Sequence, residues 1–259
     1  PALADLPFFL AVGDGAAVNV GTGCVDETKV ALTVGTTGAM RVLSDAPVPD
    51  IPTGLWAYRL GSSRTLLGGS FSEGGNVVQW ALDNFKLPPI DQLNSELEKL
   101  KPAHHGINVL PFLAGERATG WSTSATGVLE GVRISTTPIE ILQAMLESVA
   151  YRFAMVADLL LPGVKSGYQM IASGGAIQNS PWWLQTMADV LGVPIGVSAE
   201  QQDTSRGTAV LALNALGVWD SLDKYPAEIA DTYVPNLTIT EIYLVARERQ
   251  NELYSRLLG

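Results

Sequence analysis

Near its start the chain reads Phe8-Phe9-Leu10-Ala11-Val12-Gly13-Asp14-Gly15, and this stretch contains the most informative carboxylate of the sequence. The apolar run over residues 8–12 predicts a buried strand. A carboxylate that leaves a strand between two glycines can lie at a cleft while the backbone around it stays open to a ligand. Asp14 can also be the ordinary N-cap of a following helix, so its interpretation depends on the rest of the chain.

Three further glycine-rich turns recur along the sequence, at Gly35-Thr36-Thr37-Gly38, Gly74-Gly75 and Gly174-Gly175-Ala176. Glycine lets backbone N–H groups approach an anion, and a helix that begins at such a turn adds a favourable dipole. Each turn alone has an ordinary structural explanation. Several of them at the end of one sheet indicate a nucleotide cleft.

The order of the predicted elements defines the fold class. Two β-rich arms over residues 30–43 surround the first of these turns, and further short strands complete a meander. Alternating helices and strands follow, and the clearest helix has Thr137 as its N-cap, Pro138 in the first position and Glu140 in a capping box. Amphipathic helices are expected at 220–231 and 239–258. The order predicts one α/β domain with a central mixed sheet and helices on its faces.

The composition narrows the classes of function. Of the 259 residues 47% are hydrophobic and only 16% are charged, against about 25% in a typical soluble domain. This apolar excess suits a homodimer face or a face covered by a missing segment. A net charge of −10 argues against a nucleic-acid partner. The lone Cys24 argues against disulfides, and His104 and His105 have no third ligand nearby, so no protein metal site is expected.

Other signals are missing from the sequence. No apolar run reaches the roughly 20 residues that a membrane helix needs, and no signal-peptide pattern opens the chain, so no membrane association and a soluble cytoplasmic protein are expected. The P-loop, the dinucleotide-binding fingerprint and the nucleophile elbow of the α/β-hydrolases do not occur. A phosphate site would therefore belong to another class of fold.

The order and spacing of the glycine turns resemble the C-terminal domain of the FGGY carbohydrate kinases over about residues 6–219. The most specific part is Gly127-Val128-Leu129-Glu130-Gly131-Val132, followed after seven residues by Glu140-Ile141-Leu142-Gln143-Ala144-Met145-Leu146-Glu147, which fits the second signature of that family. The resemblance implies an actin-like ATPase (ribonuclease-H-like) fold. It also implies that residues 1–259 are a single C-terminal nucleotide-binding domain, with the N-terminal sugar-binding domain absent from this chain.

The resemblance also implies site residues. Asp14 matches the catalytic base, which would accept the proton of the sugar hydroxyl. ATP and Mg²⁺ are the implied cofactors. The positions that match the nucleotide-binding turns of the family, or lie within them, are Thr36, Thr37, Gly38, Gly75, Gln79, Gly174, Gly175, Ala176 and Asn179.

The substrate is less well defined. Gly15 stands where the glycerol and xylulose kinases resemble one another in carrying an amide, and Trp121 looks like the gluconate kinases, so gluconate is favoured over xylulose or another pentulose or polyol. Glu116-Arg117 match a Gly-Glu-Arg motif that could contact substrate or anchor its loop. Without the N-terminal domain as its partner the chain is expected to be inactive. A non-catalytic actin-like nucleotide-binding module and a purely structural domain are the alternatives from other classes.

Overall fold

A computed structural model of the chain describes residues 6–45, 50–224 and 226–259. Within them, seven strands form one sheet in the order β3-β4-β2-β1-β7-β8-β9, and two short strands pair separately as β5-β6. The strands are β1 (Lys29–Val34), β2 (Gly38–Ser44), β3 (Trp56–Leu60), β4 (Arg64–Phe71), β5 (Asn108–Leu110), β6 (Val128–Glu130), β7 (Gln169–Ser173), β8 (Ile195–Ser198) and β9 (Ile229–Tyr233).

The sheet is mixed because β1 lies between partners of opposite direction. It is antiparallel to β2, with Val34 opposite Gly38, and parallel to β7, with Thr33 opposite Ser173. The ends of β1 and β7 therefore lie side by side, and the turns that follow them meet at one edge of the sheet. The predicted mixed sheet is confirmed.

Helices cover both faces of this sheet. They are α1 (Asp14–Gly21), α2 (Gly75–Asn84), α3 (Leu93–Leu97), α4 (Pro138–Leu160), α5 (Gly175–Gln178), α6 (Pro181–Leu191), α7 (Asp203–Ala215) and α8 (Leu237–Leu258), with 3₁₀ turns at Ile90–Gln92 and Leu161–Gly163. No helix among the described residues combines the length and the apolar character that crossing a membrane requires.

The two faces follow from the alternation of side chains along the strands. Val30, Leu32 and Val34 of β1 pack into the main core with α4, which is buried over most of its circumference. On the other face of the sheet, Leu43 and Leu66 pack against α1 and α7. The capping box of α4 is confirmed, since the Thr137 N–H donates to a carboxylate oxygen of Glu140 at 2.8 Å.

Glycines allow α1 and α7 to pack in direct backbone contact. A β-carbon at Gly207 of α7 would lie 1.8 Å from the carbonyl oxygen of Ala17, and one at Gly21 of α1 would lie 1.8 Å from that of Asp203. A side chain at either position would separate the helices. This contact fixes the position of α1, whose first residue is Asp14.

Two predicted elements are wrong. Residues 8–12 form no strand, and Phe8 and Leu10 are 83% and 93% exposed, because no strand of the described sheet pairs with this apolar run. The described residues of the segment 220–231 form no helix: Pro226, which lacks an N–H donor, lies within it, and the chain then forms β9 antiparallel to β8.

Candidate functional site

Three of the four glycine turns are joined at the edge of the sheet. The backbone N–H of Gly75, the first residue of α2, donates to the carbonyl oxygen of Gly35 at 2.7 Å, and that of Asn76 donates to the carbonyl oxygen of Thr36 at 3.1 Å. The turn at Gly174 lies against the same strand end. Gly174 has a φ of +98°, and a β-carbon there would lie 2.5 Å from the carbonyl oxygen of Val34, so this position requires glycine.

A first cavity, the apolar pocket, has a volume of about 280 Å³. Its walls include Leu93, Leu97, Leu142 and Leu146, which give a ring system an apolar surface to pack on. Five of the predicted nucleotide residues line it together, namely Gly75, Gln79, Gly175, Ala176 and Asn179.

The two amides at the apolar pocket are held by local hydrogen bonds. The Asn179 side-chain amide donates to the carbonyl oxygen of Gly175 at 2.7 Å, and that of Gln79 donates to Asp83 at 2.9 Å. Both side chains belong to exposed residues. Their remaining amide groups are therefore within reach of a ligand.

A second cavity, the polar pocket, has a volume of about 720 Å³ and shares Gly175 and Asn179 with the first. Gly174 lines it as well, together with Ser173, Ser198 and Asp203. The Asp203 carboxylate accepts a hydrogen bond from the Ser198 hydroxyl at 2.9 Å, and burial raises the pKa of Asp203.

A third cavity, the Asp14 pocket, has a volume of about 410 Å³. Three predicted residues line it, Asp14, Thr37 and Gly38, and the sequence reasoning missed most of its other walls. These walls are Gly15, Arg41, Trp56, Tyr58, Ser70, Arg117 and Trp121.

Asp14 is exposed at the N-terminus of α1. The N-cap of this helix is Gly13, so Asp14 is its first helical residue and not its cap. One carboxylate oxygen accepts the N–H of Gly15 at 2.7 Å, which leaves the other oxygen to interact with a ligand. The negative charge at a helix N-terminus is favourable.

Arg41 of β2 contributes a cation to this pocket. Its guanidinium donates to the Thr33 hydroxyl at 3.3 Å, while its buried Nε has no hydrogen-bond partner. Burial lowers the pKa of Arg41, and the nearby Tyr58 and Asp14 act in the opposite direction. The signal for Arg41 in the sequence was a charge in the middle of the otherwise apolar strand Ala39-Met40-Arg41-Val42-Leu43.

Glu116 and Arg117 have different surroundings. Glu116 is buried, forms an ion pair with the buried Arg152, and accepts hydrogen bonds from the Tyr254 hydroxyl at 2.8 Å and from the Gly120 N–H at 3.1 Å. It anchors its loop, as one of the two interpretations predicted. Arg117 is exposed and lines the Asp14 pocket.

One predicted residue, Thr36, lies outside the three pockets. Thr36 is exposed and lines none of the three pockets, but its turn connects two of them. Gly35 accepts the hydrogen bond of Gly75, which lines the apolar pocket, while Thr37 and Gly38 line the Asp14 pocket. Across the described ranges, no three His, Cys, Asp or Glu side chains are grouped so that they could hold a metal ion.

Residues 30–216 match the family model for the C-terminal domain of the FGGY carbohydrate kinases. The chain belongs to this family. Among curated relatives, the FGGY chain is 28% identical over 240 residues to the gluconokinase of Bacillus subtilis, a match that covers 88% of this chain and 47% of that protein. It is 31% identical over 236 residues to a glycerol kinase of Methylobacterium nodulans, a match that covers 86% of this chain and 46% of that protein.

Solved structures agree with the family. The FGGY chain superposes on a ligand-bound xylulose kinase from Lactobacillus acidophilus with a TM-score of 0.88 at 27% identity, covering 97% of this chain and 52% of that one. The gluconate kinase of the same organism gives a TM-score of 0.86 at 27% identity, and the match covers 96% of this chain and 51% of that one. The predicted actin-like ATPase fold is confirmed, and the chain spans about half the length of these relatives.

Proposed function

We propose that this chain is the ATP-binding half of a two-domain carbohydrate kinase that transfers the γ-phosphate of ATP to a hydroxyl group of a sugar or sugar acid, with gluconate the favoured substrate. One observation carries the proposal. The 35–38 turn is bonded to Gly75 of the apolar pocket on one side and lines the Asp14 pocket on the other. A nucleotide that lies along this turn would present its terminal phosphate near Asp14.

The nucleotide would extend from the apolar pocket along the 35–38 turn toward the Asp14 pocket. The apolar pocket, with Gln79 and Asn179 at its edge, would hold the adenosine. The phosphates would lie along the 35–38 turn and the N-terminus of α2, where backbone N–H groups and the Thr36 and Thr37 hydroxyls can donate to them.

The side chains near the 35–38 turn offer few oxygen ligands for Mg²⁺. Asp14 is the one carboxylate of the Asp14 pocket, so the pocket would hold the ion through a single carboxylate at most, with most of the remaining ligands from phosphate oxygens and water. When bound, Mg²⁺ neutralises the charge of the phosphates.

Asp14 would act as the general base. Its exposed carboxylate can accept the proton of a substrate hydroxyl as that oxygen attacks the γ-phosphate. Such help is typically worth about 10²–10⁴-fold in rate. The rest of the rate enhancement would come from holding the two reactants in line.

The choice of gluconate is supported by the gluconokinase and gluconate kinase among the relatives. Relatives named glycerol kinase and xylulose kinase match over a similar share of the chain, so a polyol or pentulose is the alternative substrate. The other half of the kinase would supply most contacts to the sugar, and this chain alone would bind ATP weakly and transfer phosphate negligibly.

The experiment measures ADP release in the complete kinase, defined as this chain joined to the N-terminal half of its polypeptide. Asp14→Asn should lower kcat with gluconate by about 10²–10⁴-fold and leave the Kd for ATP within about twofold. Asp91→Asn, at an exposed aspartate outside the three pockets, serves as the control. Equal turnover of Asp14→Asn and wild type would remove Asp14 from this role.

Two simpler measurements separate the alternatives. A non-catalytic module would bind ATP in calorimetric titration but release no ADP with gluconate, xylulose or glycerol, even as the complete polypeptide. A purely structural domain would not bind ATP at all.

A further inference from the structure

Two guanidinium groups in the Asp14 pocket have no carboxylate partner. Arg41 and Arg117 both line this pocket, and within the described ranges neither forms an ion pair within 4.0 Å. In the same ranges eight other Lys and Arg side chains pair with an acid, among them the buried Arg152. The cavity therefore holds two cations against the single carboxylate of Asp14, and this local excess of positive charge, in a chain with a net charge of −10, forms a site for an anion.

Arg41 is the more constrained of the two. Its Nε is buried without a partner, and its one hydrogen bond is the 3.3 Å contact to the Thr33 hydroxyl. A β-carbon at Gly15 would lie 3.2 Å from its Nε and 3.3 Å from its Nη2. The guanidinium is therefore held beside the residue that follows Asp14, and it retains free N–H donors there.

Burying a guanidinium N–H group that has no hydrogen-bond acceptor is costly, and a ligand anion that accepts from it would remove that cost. The planar guanidinium matches a carboxylate in a two-pronged hydrogen bond, which a lysine cannot reproduce. The walls beside Arg41 are the rings of Trp56, Tyr58 and Trp121, which suit a carbon chain better than a polyphosphate.

We propose that Arg41 binds the carboxylate of an acidic substrate, with Arg117 as a second cation at the mouth of the pocket, so that this half of the kinase itself selects polyhydroxy acids over neutral polyols. The proposal rests on the proposed function and deepens it. It assigns substrate selectivity to side chains of the nucleotide-binding domain. The γ-phosphate of ATP is the other source of an anion at this site, and the experiment separates the two.

The experiment compares substrate pairs that differ only in charge. The complete kinase is assayed with gluconate against glucitol and with xylonate against xylitol, as wild type, Arg41→Met and Arg41→Lys. Arg59→Met is the matched control, because Arg59 lies on β3 directly after Tyr58 and so projects from the face of the sheet opposite to the Asp14 pocket. Circular dichroism and thermal melting establish that each variant is folded.

The expected result is specific to the acids. Arg41→Met should raise the KM for gluconate about 10- to 100-fold and leave the KM for glucitol and for ATP within about twofold. Arg41→Lys should recover only part of the loss, and Arg117→Met should have a smaller effect because its side chain is exposed. Arg59→Met should match wild type.

Two results would overturn the inference. A raised KM for ATP, or an equal loss of kcat with acid and neutral substrates, would assign Arg41 to the γ-phosphate. Equal use of gluconate and glucitol by wild type and by Arg41→Met would show no role in selectivity.

Failure of the proposed function would give a different result: the wild type would phosphorylate none of these compounds. In that case the inference is decided by titrating the protein with gluconate and glucitol while following tryptophan fluorescence, since Trp56 and Trp121 line the pocket. Quenching by gluconate alone, lost in Arg41→Met, supports the carboxylate site, and its absence contradicts it.

Discussion

The N–H of Gly75 donates to the carbonyl oxygen of Gly35 at 2.7 Å, and this bond fixes the start of α2 to the turn between β1 and β2. The two residues are 40 positions apart in the sequence. The bond places the wall of the apolar pocket next to the turn that lines the Asp14 pocket. The relative position of the two proposed ligand sites therefore depends on a close backbone contact that a side chain would prevent.

Gly75→Ala should disrupt this contact. The new β-carbon would lie 2.7 Å from Cβ of Ala176 and 2.9 Å from the carbonyl oxygen of Gly35, so the backbone must move. We expect a loss of about 1–3 kcal/mol in the free energy of unfolding, measured with urea, together with weaker ATP binding in calorimetry.

Gly175→Ala is the matched variant for Gly75→Ala. A β-carbon at Gly175 would find its nearest neighbour, the Asn179 amide nitrogen, at 4.0 Å, and the residue is exposed between the apolar and polar pockets. Its free energy of unfolding should stay within about 0.5 kcal/mol of wild type while ATP binding weakens. Unchanged ATP affinity in Gly175→Ala would contradict the placement of the nucleotide.

Gly207→Ala tests whether the packing of α7 on α1 positions Asp14. The added carbon would lie 1.8 Å from the carbonyl oxygen of Ala17, so α1 must shift away from α7. We expect the free energy of unfolding to fall by about 1–3 kcal/mol or more, and kcat of the complete kinase to fall more than the affinity for ATP, because α1 carries Asp14 and not the apolar pocket.

Gly163→Ala provides the comparison for the effect of Gly207→Ala. No atom lies within 4 Å of a β-carbon at that position, so both stability and turnover should match wild type. A Gly207→Ala protein that is destabilised but turns over normally would show that the α1–α7 contact serves stability alone.

Local signals explain which parts of the fold could be predicted. The capping box at Thr137 and Glu140 and the turn at 35–38 depend on neighbouring residues only, and both are present in the structure. The 8–12 run depends on a pairing strand that its own sequence cannot specify, and residues 220–231 depend on pairing with β8. Elements that need a distant partner were the ones that failed.

The same distinction applies to the site. Asp14 and the glycine turns can be recognised from the local sequence, because glycine-rich turns that recur beside strand ends are uncommon. Arg41 and Tyr58 become neighbours only when β2 and β3 both pair with β4, and Asp14 joins them only when α1 packs across the sheet. No spacing in the sequence shows that arrangement, so the cationic part of the Asp14 pocket could not be predicted.

Glu73, in the loop between β4 and α2, should make stability depend on pH. It is 2% exposed, its Oε1 has no hydrogen-bond partner, and burial raises its pKa to about 7. Below the ordinary pKa of a glutamate, about 4.5, the carboxyl is protonated in the folded and unfolded states and costs nothing. As the pH rises toward 7 the unfolded state ionises first, so the folded state loses stability, and the full penalty of about 3 kcal/mol is present above pH 7.

Glu73→Gln removes this titration. Between pH 5 and pH 8 the wild type should lose about 2 kcal/mol more of its free energy of unfolding than Glu73→Gln does, as measured by urea titration at both values. Glu241→Gln, at an exposed position of α8, should keep the pH dependence of wild type. The same loss in all three proteins would mean that Glu73 ionises in the folded state as readily as in water, and that its burial does not hold the proton.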